Sequence, residues 1–246
     1  MRALQTVFPP PISVHWRSLS RRQAAVLLVI GLVLELPVRY VVRPDVGLLR
    51  PGNPWFDLRL RLAIEAGMLM LFVFAPLAAG ASTRSVGIPG RSWTRWEWGA
   101  LATIGGVEAI VVTLIAGRRW VRLWEMGSIP DALPWALGEF LFGFNQETGF
   151  RGLIMTGLLP LSGWRWACGL NTLVFLVGPL HGPGLVDWLG TNPLAAAGYA
   201  FGVIVHGVAF SWLRHRTDNV VLCGILHGII NGFMNGSGFA LRALRG

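Results

Sequence analysis

Residues Phe144 to Gly152 read F-N-Q-E-T-G-F-R-G, in a chain whose surroundings are otherwise suited to lipid. Glu147 precedes Arg151 by four residues, the favoured order for an ion pair on one helix face. Such pairs are rare inside a bilayer and mark either a structural lock or a functional site. Three later polar residues, His181, His227 and Asn231, also fall within or at the ends of apolar segments. Buried apart, each would carry a desolvation cost of several kcal/mol. Clustered around water they satisfy one another, so the sequence predicts that they meet at one intramembrane site.

The composition sets the class. Of 246 residues, 53% are hydrophobic and only 13% charged, against about 25% charged in soluble domains. An all-α, polytopic membrane bundle of about seven or eight helices follows, with no room for a sizeable soluble domain. The net charge of +9 comes from 21 basic residues, every one an arginine. They lie between the apolar runs, where they suit lipid headgroups and span topology. With no basic face and no reading motif, nucleic acid is not expected as a partner. Two cysteines within apolar segments make no disulfide framework and say nothing of the compartment.

Along the chain, residues 1–22 read as an N-terminal tail and 23–130 as an N-terminal transmembrane region with spans near 23–42, 60–79 and 99–116. A core follows over 131–236 and a C-terminal tail over 237–246. The core holds apolar segments at 133–147, 151–159, 164–180, 193–213 and 219–233, with 182–191 read as a loop. The first apolar run has no clear small-residue cleavage site and reads as a retained span. Glu35, Glu65 and Glu108 stand in the first three spans as isolated acids without recognisable partners. His206, amid Val203, Ile204 and Val205, reads as a core histidine. Gly224, Gly228 and Gly232 form a small-residue strip on the helix that carries His227 and Asn231, which suits close helix packing.

A water held between a carboxylate and an imidazole can be deprotonated. A second imidazole with a carboxamide can donate to the oxyanion formed when a peptide carbonyl is attacked. The residue types therefore point to peptide hydrolysis in or beside the membrane. A zinc set of one carboxylate and two histidines fits the types but lacks the tight H-E-x-x-H spacing. A proton-coupled carrier would also use intramembrane Glu and His, though no inverted repeat is visible.

Glu147-x-x-x-Arg151-Gly152, then His181, then His227-x-x-x-Asn231 behind the basic link Arg214 to Asn219 resembles the CPBP family, also called Abi, of intramembrane proteases. The resemblance covers residues 133–236. It implies an endopeptidase of the bacterial or archaeal cytoplasmic membrane, with no metal and no cofactor. The substrate would be a membrane-associated peptide or protein, or one anchored or lipidated at its C-terminus. By the same resemblance Glu147 polarises the water, His181 positions it, His227 and Asn231 stabilise the oxyanion and Arg151 holds Glu147 charged. Two positions depart from the family pattern. Gln146 stands where the family has the first of two adjacent glutamates, generally assigned as the base. Glu139 shares its helix face but lies about 10 Å away and cannot replace it. Val177 stands where the family has Phe four residues before its histidine, with Phe175 nearby. The Gln146 departure leaves a second reading open, a catalytically silent scaffold or bacteriocin-immunity protein of the same fold.

Overall fold

A computed structural model of the chain describes residues 15–42 and 54–244. After a 3-10 turn at His15–Ser18, α1 (Arg21–Val33) begins on a capping box. The Ser20 hydroxyl accepts from the Gln23 N–H, and the Gln23 side chain accepts in return from the Ser20 N–H. A π-helical turn at Leu34–Val38, which accommodates Pro37, carries α1 into α2 (Arg39–Val42). Next come α3 (Pro54–Ala78) and α4 (Arg95–Glu125), the latter started by a second capping box between Thr94 and Glu97. Helix α5 (Ile129–Glu147) passes through another π-helical stretch, Thr148–Ile154, into α6 (Met155–Val177), where Gly163 with φ 75° breaks the helix three residues after Pro160. The chain closes with α7 (Gly182–Thr191), α8 (Pro193–Thr217) and α9 (Val220–Ala243). No strand occurs among the described residues.

Among the described residues, five stretches are long and apolar enough to cross a membrane: Arg21–Val41, Asp57–Ala78, Arg95–Glu125, Pro193–Thr217 and Val220–Ala243. A bent pair, Ile129–Val177 with Gly182–Thr191 at 63°, makes a sixth if it is one span. The protein is a helical membrane bundle, as the composition requires.

The seam that matters most runs between α5 and α9. A Cβ added to Gly224 would lie 2.7 Å from the Phe144 ring, one on Gly228 2.8 Å from Phe140, and one on Gly236 2.6 Å from the Ala136 Cα. Only glycine every fourth residue lets the two backbones approach this closely, so the strip read from the sequence is the packing face and extends one turn further. On the α5 side, Gly143 faces the His227 carbonyl oxygen, 2.7 Å from where its Cβ would be. This contact sets α9 at the height of the polar end of α5.

Several expectations change. Residues 182–191 form a helix, with Pro183 in its first turn and Asn192 both ending it and capping α8 through the Ala195 N–H. The last helix continues to Ala243, and Ala240, Leu241 and Ala243 are buried, so the segment after 236 is in large part structural. The acids of the first two spans are not isolated: Glu35 and Glu65 share Arg39 between them, at 3.2 and 3.0 Å. The interior of the proposed N-terminal tail through residue 14, and residues 43–53 of the first linker, lie outside the described residues.

Candidate active site

Glu147 is the last residue of α5 and Arg151 lies one turn on, inside the π-helical stretch; both are fully buried. The Arg151 Nη1 donates to Glu147 Oε1 at 3.1 Å and its Nη2 to the Gly207 carbonyl of α8 at 3.4 Å, while its guanidinium lies 4.5 Å from the centre of the Phe175 ring. The carboxylate is thus held by a guanidinium that is anchored to two other helices. The same Oε1 lies 2.7 Å from Nδ1 of His227. Glu147 Oε2 is buried with no hydrogen-bond partner, and so is the Nε of Arg151.

A cavity of about 300 Å³ opens beside this pair. Gln146, His181, His227 and Asn231 all line it, together with Tyr199 and Phe142, while Glu147 and Arg151 do not. The spacing of α9 explains the first part, since His227 and Asn231 are four apart and project from one face. The change of face between neighbours on α5 explains the second: Gln146 turns to the cavity, and Glu147 turns to the back of His227. Glu139 also reaches the cavity wall, where Arg61 pairs with it at 2.7 Å.

The third wall is aromatic. The Phe175 ring is edge-on to His181 at 4.5 Å and to His227 at 6.3 Å, and it lies 6.5 Å from His206. Phe175 is 1% exposed, whereas Val177 is 59% exposed. The aromatic that packs on His181 is therefore two residues from where the family pattern places it. His181 Nδ1 and the Tyr199 hydroxyl form a hydrogen bond at 2.5 Å, which fixes the ring. His206 was read from the sequence as a core histidine, but it stands 4.6 Å from His227, ring centre to ring centre. One donor atom from each of Glu147, His206 and His227 can be chosen so that all lie within 4.8 Å of one another. Nothing in its apolar neighbours signals this: His206 and Gly207 reach the site because Thr172 of α6 packs against Gly207, at 2.8 Å from where a Cβ would be. Tyr199 likewise carried no signal in the sequence.

Fold and geometry together define a multi-pass helical membrane protein with a buried carboxylate–imidazole pair beside a polar cavity. Residues 128–233 match the family model described as type II CAAX prenyl endopeptidase Rce1-like. That family is in general one of peptidases. No curated protein and no solved structure matches the chain.

Proposed function

We propose that the protein is an intramembrane endopeptidase that hydrolyses a peptide bond in a membrane-associated protein, anchored or lipidated near its C-terminus. The observation that carries this is the 2.7 Å contact from Glu147 Oε1 to His227 Nδ1, with His227 on the cavity wall. An ionised carboxylate only accepts, so Nδ1 carries the proton and Nε2 keeps its lone pair. His227 then serves as the base: Nε2 takes a proton from a cavity water as that water adds to the peptide carbonyl carbon. When the C–N bond breaks, the imidazolium returns the proton to the leaving amine. Glu147 steadies the imidazolium from behind, and Arg151 holds the Glu147 carboxylate in place.

This reading moves the base from Glu147, where the motif placed it, to the imidazole that Glu147 orients. It also gives Gln146 a task that needs no proton transfer. The amides of Gln146 and Asn231 both face the cavity and can donate to the developing oxyanion. His181, fixed by Tyr199, orients the water or the carbonyl. A silent scaffold is the reading that Gln146 left open; the retained Glu147–His227 pair supports the peptidase over it.

The test uses protein purified in detergent and membrane-peptide substrates with and without a C-terminal lipid. Wild type cleaves, and His227→Ala lowers kcat by about 10²–10⁴-fold. Cleavage at the wild-type rate in His227→Ala rejects the assignment, and a wild type that cleaves none of these peptides favours the scaffold.

A further inference from the structure

Hydrolysis supplies no task for His206, although it stands 4.6 Å from His227. Its Nε2 is inaccessible and has no hydrogen-bond partner, and the same holds for Oε2 of Glu147. Donor atoms of these two residues and of His227 converge within 4.8 Å. An electropositive group held among the three residues would satisfy the convergent donor atoms. One carboxylate oxygen and two imidazole nitrogens are the donor set that zinc and its first-row neighbours prefer, and one that magnesium and calcium do not.

We infer that Glu147, His206 and His227 form a binding site for a divalent transition-metal ion of the zinc type, and that occupancy switches hydrolysis off. The second half rests on the reading of His227 as the base. An ion on Nε2 takes the lone pair that would receive the proton from water, and an ion on Nδ1 displaces Glu147 from the nitrogen it orients. Either way the base is lost. His227 lines the cavity, so an ion reaches the site from that side. Arg151, 3.1 Å from the other carboxylate oxygen, keeps positive charge nearby, which weakens the site and suits an ion that comes and goes.

The experiment needs two readouts on full-length protein in detergent, first treated with a chelator and then freed of it. Zinc binding is followed by calorimetry, and the visible bands of cobalt report the geometry. Wild type is expected to bind one ion per chain with the tetrahedral cobalt spectrum, and His206→Ala to weaken binding by more than about tenfold. His206 touches no reacting atom, so His206→Ala is expected to cleave peptide as metal-free wild type does, but without inhibition by zinc. His206→Gln, closer in size, serves if the alanine variant does not fold. Equal zinc affinity in wild type and the His206 variants overturns the site, leaving water as the group between the orphaned atoms. Zinc that binds through His206 yet stimulates cleavage overturns the switch. His206-dependent binding in a protein that cleaves nothing keeps the site and refutes the peptidase reading, so the two failures are distinguishable.

Discussion

Glu35–Arg39 and Glu147–Arg151 share a four-residue spacing, a π-helical setting and near-complete burial, yet they are finished differently. Every nitrogen of Arg39 has a carboxylate: Nε and Nη2 donate to Glu35, and Nη1 donates to both oxygens of Glu65 at 3.0 and 3.1 Å. Asn145 adds a donor to Glu65 at 2.7 Å and ties α5 to α3. The ion pairs of that network are complete, and its one unpartnered atom is the Oδ1 of Asn145. At Arg151 one nitrogen goes to a carboxylate, another to a backbone carbonyl, and Nε has no partner, while Glu147 spends one oxygen on both Arg151 and His227. A buried ion pair by itself therefore says little. The distinguishing marks of a chemical site are unsatisfied atoms on the ion pair itself and a cavity one residue away. π-Helical turns accompany both, so their frequent association with function does not discriminate here.

If the two pairs differ in this way, their variants separate. Glu147→Gln lowers kcat by about 10²–10⁴-fold at temperatures where the variant stays folded, because His227 loses the group that orients it. Arg39→Ala leaves two carboxylates buried without their cation and costs about 3–5 kcal/mol, read as a lower unfolding midpoint in detergent, with kcat of the folded fraction near wild type. Loss of kcat in folded Arg39→Ala breaks the distinction. Gly149→Ala probes where the regions touch. Its Cβ would lie 2.1 Å from Glu35 Oε1, so the carboxylate must move, at about 1–3 kcal/mol. Combined with Glu35→Ala the cost is less than additive, since the clashing group is gone. The smallest effect is that of Val177→Phe, which restores the family's residue on an outward face. It changes stability by about 0.5 kcal/mol or less and leaves cleavage unchanged, because Phe175 already fills the place beside His181.

Much of the architecture was legible because lipid-facing helices write themselves as long apolar runs and the glycine strip repeats at the helical period. Helix α7 was not, because its ten residues open with Gly182, Pro183 and Gly184, which read as turn chemistry until the proline is seen in the first turn. The pairing of Glu35 and Glu65 was hidden because Arg39 sits at the end of its span and Glu65 joins it from another helix, a contact that one-dimensional spacing does not carry. At the site, the chain order of Glu147, Arg151, His181, His227 and Asn231 was enough to expect convergence. The side on which each neighbour falls was not: only coordinates show Gln146 towards the cavity and Glu147 behind His227. His206 was missed because its sequence neighbours are those of any core residue, and its partner atoms come from two other helices.

The claim on which the rest stands is that Glu147 holds His227 with its proton on Nδ1. Nitrogen NMR of imidazole-labelled protein measures this directly, with the His227 signals assigned by their loss in His227→Ala. The expected result is a neutral ring protonated at Nδ1 that loses this preference in Glu147→Gln. A ring protonated at Nε2, or one whose tautomer does not respond to Glu147→Gln, contradicts it.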